Sequence, residues 1–121
     1  MSRNILVVDD DEQLLALLRQ ILEHAGHCVE TFSSAELALE RLEAGPFDLV
    51  ISDIRMPGMS GIDLLAQVVA RFPATKVILM TGYADDYDAS EALLNGADDY
   101  ITKPFDVSRV LLSVGNVLKS G

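Results

Sequence analysis

The sequence predicts an α/β domain built on a five-stranded parallel sheet with helices on both faces. Three observations lead there. Five short runs rich in branched apolar residues, at 4–8, 28–32, 48–53, 76–80 and 99–102, are separated by segments whose apolar residues recur at helical spacing. The connections are of ordinary length, and parallel strands joined in this way need right-handed helical crossovers. The central run, Asp48-Leu49-Val50-Ile51-Ser52-Asp53, lacks the polar alternation of a half-wet strand and so reads as one buried on both faces.

Each element has its own signals. Asn4-Ile5-Leu6-Val7-Val8 closes in three carboxylates, Asp9, Asp10 and Asp11, and then Leu14, Leu15, Leu17, Leu18, Ile21 and Leu22 repeat as a helix that should stop near Gly26. Asp11 and Glu12 suit its N-terminus, and His24 and His27 lie beside its negative end. Cys28-Val29-Glu30-Thr31-Phe32 alternates like a more exposed strand, in which Cys28 reads as a small buried hydrophobe. Ser33 or Ser34 then caps a helix with Leu37, Ala38, Leu42 and Ala44 facing inward, ended by Gly45-Pro46.

After the central strand comes the Pro- and Gly-punctuated loop 54–61, and then a helix from about Gly61 through Leu64, Leu65, Val68 and Val69 to Phe72-Pro73. Lys76-Val77-Ile78-Leu79-Met80 is the fourth strand and ends in Thr81-Gly82. Residues 83–95 make a weak, mobile helix, with Asp85, Asp86, Asp88 and Ser90 crowding its start. The fifth strand, Asp99-Tyr100-Ile101-Thr102, ends in Lys103-Pro104-Phe105. A last helix capped by Asp106 or Ser108 carries Val110, Leu111, Val114, Val117 and Leu118.

The whole chain bounds the function. Its 121 residues make one domain, 1–121, able to fold without staples, and Lys119-Ser120-Gly121 reads as the start of a linker. A single cysteine excludes an internal disulfide and makes a reducing, cytoplasmic setting the default. There is no apolar run of membrane length and no signal-peptide pattern. Nineteen acidic against nine basic residues give a formal charge of −10, which repels nucleic-acid phosphates and suits a domain that holds a cation.

Parallel strands put their carboxyl ends on one edge, the edge where open α/β sheets bind ligands. Asp9 and Asp10 follow the first strand, Asp53 the third, Thr81 the fourth and Lys103 the fifth. Three carboxylates at about 5 Å, in an effective dielectric near 20, repel by about 3 kcal/mol per pair. Lys103 offsets part of that repulsion, and a hard divalent cation such as Mg²⁺ offsets more. A carboxylate beside a metal and a lysine can attack a phosphoryl group in line, with the Thr81 hydroxyl and backbone amides after Asp53 donating to the phosphoryl oxygens.

Four stretches then carry a resemblance: Ile5-Leu6-Val7-Val8-Asp9-Asp10, Ser52-Asp53-Ile54-Arg55-Met56-Pro57-Gly58-Met59-Ser60-Gly61, Leu79-Met80-Thr81-Gly82-Tyr83, and Asp99-Tyr100-Ile101-Thr102-Lys103-Pro104-Phe105. In order and at these separations they resemble the receiver domain of two-component response regulators, the chemotaxis-type domain, over essentially the whole chain. The resemblance implies a flavodoxin-like sheet of order 2-1-3-4-5. It implies Asp53 as phosphoacceptor, Asp10 and, through water, Asp9 as ligands of Mg²⁺ (or Mn²⁺), and the backbone carbonyl of Arg55 as a further ligand. Thr81 and Tyr100 would be the switch pair, Lys103 the phosphate-binding lysine, and Lys103-Pro104 a cis bond. Tyr100 is expected to turn in on phosphorylation, into space beside the fifth strand that Thr81 vacates, and Arg55 and Tyr83 to govern the lifetime of the phosphoryl group.

The implied partners are a sensor histidine kinase or phosphotransfer protein and an output domain or partner protein, with homodimerisation on phosphorylation and signalling through the face of the fourth helix, fifth strand and fifth helix. Such a domain catalyses its own phosphorylation and dephosphorylation without being a conventional turnover enzyme. Neither direct nucleic-acid binding nor membrane attachment is expected. Ser60 departs from the family pattern, where Asp is common.

Two other classes share parts of this pattern. A flavodoxin-type electron carrier binding FMN needs hydroxyl and glycine residues after the first strand, where the aspartates would repel the flavin phosphate. A haloacid-dehalogenase-type phosphatase needs a second acid two residues after its nucleophile, and Arg55 occupies that place.

Overall fold

The computed structural model describes residues 3–82 and 89–119. Strands and helices alternate along the chain: β1 (Asn4–Val8), α1 (Glu12–His24), β2 (Cys28–Phe32), α2 (Ala35–Ala44), β3 (Leu49–Asp53), α3 (Gly61–Arg71), β4 (Lys76–Thr81), α4 (Ala89–Leu94), β5 (Asp99–Thr102) and α5 (Val107–Lys119). The strands form one parallel sheet in the order β2-β1-β3-β4-β5. The expected helix over 83–95 is described only from Ala89, so residues 83–88, Tyr83 among them, lie outside the described residues.

Strand alternation divides the core in two. Leu6, Val8, Val50, Val77 and Leu79 pack with α2 and α3 residues and with Ala92 and Tyr100 on one face. Ile5, Val7, Leu49, Ile51, Ile78, Met80 and Ile101 pack with α1 and α5 on the other. All five residues of β3 are buried, as a central strand covered on both faces must be.

The caps resolve to one residue each where two were in play. Asp11 accepts from Gln13 N and Leu14 N at the start of α1, Ser34 accepts from Leu37 N at α2, and Asp106 accepts from Arg109 N at 2.8 Å at α5. Ser60, the departure from the family pattern, makes a reciprocal capping box with Asp63 at α3.

Several apolar residues expected inside are outside. A helix turns about 100° per residue, so one stripe is all that can meet the sheet, and adjacent leucines compete for it. In α2 the stripe is Ala35, Ala38 and Leu42, which leaves Leu37 and Ala44 exposed; Leu17, Val69 and Leu111 are displaced in the same way in their helices. Cys28 is exposed rather than buried, because β2 is an edge strand and its alternation gives the inward place to Val29.

Candidate functional site at the carboxyl edge of the sheet

Register brings the chemistry together. Val8 pairs with Ser52, so the next residues, Asp9 and Asp53, stand side by side where β1 and β3 leave the sheet. Asp53 pairs with Met80 and Thr81 with Thr102, which sets Thr81 and Lys103 just beyond the same edge. Parity sorts them further. Asp9, Asp53 and Lys103 continue the alternation of Val7, Ile51 and Ile101 on the α1–α5 face, whereas Thr81 shares the parity of Leu79 and its partner Tyr100 on the opposite face.

The three carboxylates of Asp9, Asp10 and Asp53 each offer an oxygen within 4.8 Å of the others. Lys103 Nζ donates to Asp9 Oδ2 at 2.9 Å and stands 3.6 Å from Asp53 Oδ2. Asp9 is fully buried and its Oδ1 accepts from Asp11 N at 2.9 Å, while Asp10 is exposed at the mouth. Asp53, 6% exposed, accepts at Oδ1 from Ile54 N at 2.9 Å.

Electrostatics follow from that arrangement. Burial pushes the Asp53 carboxyl above the ordinary carboxylate range, Asp9 and Asp10 push it further, and Lys103 and the Ile54 amide pull back without prevailing. Burial alone would lower Lys103, but its hydrogen bond to Asp9 and the charges of Asp9 and Asp53 hold its ammonium above the usual lysine value. One ammonium stands among three carboxylates, so acidic groups outnumber the lysine in the cluster among the described residues. That oxygen-only donor set, with an open member at the mouth, fits a hard divalent cation.

Backbone packing fixes the strand end at Asp53. A Cβ at Gly61 would collide with the carbonyl oxygen of Asp53, and Gly61 N donates to Ile54 O at 2.9 Å, so the loop returns tightly over the strand it left. Ser52 Oγ donates to that same Asp53 carbonyl at 2.9 Å. Beside the cluster lies an open depression of about 480 Å³ lined by Asp10, Ile54, Arg55, Met56, Pro57 and Ser60.

The remaining expected residues are placed as follows. Thr81 is buried, Arg55 is exposed, and the Lys103-Pro104 peptide is cis. Tyr100 lies inward in this structure, 8% exposed in the apolar cluster under α3 and α4. Its position follows from pairing with Leu79 on a covered face.

The response regulator receiver domain family matches residues 5–114. The chain belongs to that family. A 43% identity over 110 residues relates this receiver domain to the C4-dicarboxylate transport transcriptional regulatory protein DctD of Rhizobium meliloti, covering 91% of the chain and 24% of that protein. The DNA-binding transcriptional regulator NtrC of Escherichia coli (strain K12) is 42% identical over 115 residues, 94% of the chain and 24% of that protein. The chain thus spans about a quarter of the length of these curated relatives. Among solved structures, a CheY-like receiver domain protein from Methanospirillum hungatei superposes with a TM-score of 0.92 at 36% identity, covering 99% of this chain and 96% of that one. Receiver domains of two-component systems work with histidine kinases and output domains, and no helix among the described residues here is long and apolar enough to cross a membrane.

Sequence reasoning missed three contributors. Glu36, which no motif in the sequence singles out, reaches the loop after β3 from the first turn of α2 and accepts from Met59 N at 2.9 Å. Arg109 and Ser113 on α5 converge on Asp99, and no local pattern connects residues on separate elements.

Proposed function

We propose that residues 1–121 form a single receiver domain that accepts a phosphoryl group on Asp53 from the phosphohistidine of a sensor histidine kinase or phosphotransfer protein. The observation that carries this reading is the buried Asp53 carboxylate within 4.8 Å of two further carboxylates and 3.6 Å from an ammonium. In the transfer, an Asp53 oxygen forms the new O–P bond as the P–N bond of the donor imidazole breaks. Asp53 is held for that attack by Ile54 N on its carboxylate and by Ser52 Oγ on its carbonyl. Lys103 is poised to neutralise oxygens of the incoming group, and the Thr81 hydroxyl to donate to one of them.

Asp9, Asp10, Asp53 and the Arg55 carbonyl are the residues that would hold Mg²⁺, or Mn²⁺ in its place. Bound there, the cation would supply Lewis-acid withdrawal of charge from the phosphoryl oxygens.

Signalling is read on the face of α4, β5 and α5. Because Tyr100 already lies inward, the phosphoryl group would hold an existing arrangement, with Thr81 drawn toward it, rather than bring the ring in from solvent. An output domain or partner, or a second copy of the chain, would bind there. The relatives named as transcriptional regulators point to a transcriptional output carried by parts of those proteins outside the matched quarter, since a domain of charge −10 is a poor ligand for nucleic acid itself.

Intact mass after incubation with acetyl phosphate tests the reading. One phosphoryl group should be gained with Mg²⁺ present, and none by Asp53→Asn or in chelator; equal gain in either would overturn the assignment of nucleophile or cation.

A further inference from the structure

We propose that Glu36 is a positioning residue for the cation site, a latch from the start of α2 that holds the loop after β3 at its working distance from Asp9, Asp10 and Asp53. The inference rests on the reading of those carboxylates as a Mg²⁺ site.

Two separate features of the loop converge on this side chain. Met59 N donates to Glu36 Oε2 at 2.9 Å, across 23 residues of sequence. Gly58 has φ +79°, and a Cβ there would collide with that same Oε2, so the carboxylate occupies the space that glycine leaves open. The Met59 amide in turn holds the Glu36 carboxyl below the usual range, the mark of a hydrogen bond made to the ionised form.

The latch reaches the site from both sides. On the loop, Gly58 and Met59 follow Arg55, whose carbonyl is the backbone donor of the proposed ligand set. On the helix, Glu36 lies two residues after the Ser34 cap, and Phe32, two residues before the cap, accepts from Asp9 N at 3.1 Å. Glu36 therefore ties the loop to the same chain segment that fixes the backbone of Asp9. Partners of this outer kind orient ligands without touching the metal.

Glu36 is exposed, so its removal should leave the core intact. Isothermal titration with Mg²⁺ should show Glu36→Ala binding roughly ten-fold more weakly than wild type, the lower end of the effect usual for outer-shell partners. Glu36→Gln keeps an acceptor oxygen and should bind nearly as wild type. Gly58→Ala, by displacing the carboxylate, should imitate Glu36→Ala, and the double variant should lose less than the two losses combined.

The Met59 amide should exchange with deuterium faster in Glu36→Ala. Phosphoryl gain from acetyl phosphate should fall at limiting Mg²⁺ and recover at saturation. Wild-type Mg²⁺ affinity in Glu36→Ala, or a rate loss that saturating Mg²⁺ does not restore, overturns the latch while leaving the cation site standing. A wild-type protein that binds no Mg²⁺ overturns the site reading and the latch with it.

Discussion

Asp53 and Asp99 are two partly desolvated aspartates of the same sheet, one ending β3 and the other opening β5, and burial raises the carboxyl pKa of both before any partner is considered. Their neighbours then send them opposite ways. Asp99 accepts from Ser113 Oγ, from Tyr100 N at 2.8 Å and from Arg109 Nη1 at 3.5 Å, and these donors carry it below the ordinary carboxylate range. Among the described residues Asp53 has one amide, a lysine it shares with Asp9 and two like charges close by, and it stays above that range. A carboxylate whose donors outweigh its desolvation is architecture; one desolvated among other acids is a place where positive charge is favoured. The same Arg109 also donates to Tyr100 O at 3.0 Å, so the satisfied site secures α5 to β5 beside the proposed switch tyrosine.

The largest expected break of this contrast is Lys103→Met. It leaves the buried Asp9 charge without its partner, which should destabilise the cation-free protein by about 3 kcal/mol. It also removes the only ammonium among the described residues of the cluster, which should slow phosphoryl gain by about 100-fold or more. Chemical denaturation in chelator and a mass-based time course measure the two. A stability loss smaller than that of Asp99→Asn would mean that the acidic cluster is less strained than its geometry implies.

Next in size are Asp99→Asn and Ser113→Ala, each expected to cost about 1.5 kcal/mol, as hydrogen bonds to a charged group do, while phosphoryl gain is unchanged. Asp99 has a depressed folded pKa, so its contribution is present above the unfolded pKa and is lost as pH falls through the folded one. Wild type and Asp99→Asn should therefore converge in stability at acid pH.

Asp53→Asn sharpens the contrast from the other side. The folded pKa of Asp53 is raised, so the ionised group destabilises the fold above that pKa and has no such effect below the unfolded one. In chelator near neutral pH the variant should melt roughly 3 °C higher than wild type, the equivalent of under 1 kcal/mol for a domain of this size. That gain should disappear on acidification. A melting temperature lowered at neutral pH would place Asp53 with Asp99 as a structural carboxylate.

The smallest effect concerns the phosphoryl group once attached. Arg55 and Tyr83 are bulky and supply no carboxylate or amide to orient water, so Tyr83→Ala and Arg55→Asn should each quicken decay by about threefold, through easier in-line access of water. Unchanged or slower decay in both would remove shielding as the reason for a long lifetime.

Much of this was legible in the sequence for a definite reason. Buried parallel strands announce themselves as unbroken apolar runs, and parallel order places all their carboxyl ends on one edge, so Asp9, Asp53, Thr81 and Lys103 could be gathered without coordinates. Helix faces were less legible. Leu17, Leu37 and Leu111 are as apolar as their buried neighbours, and tertiary packing chooses the stripe, even putting Ser113 inside α5 ahead of Leu111 because Asp99 waits opposite. Contacts between separate elements, such as Glu36 with Met59, left no local trace at all.

The bond between Lys103 and Asp9 spans 94 residues and joins the first strand to the end of the last. On the ribosome, where a domain emerges from its N-terminus, the acidic trio is therefore made long before its counter-charge. The neighbouring pairs β1 with β2 and β1 with β3 can close while β5 is still unmade, and the completed centre forms only once that strand docks. Lys103 is thus made after all three carboxylates, and a chain cut short before it would carry Asp9 and Asp53 without the ammonium that balances them.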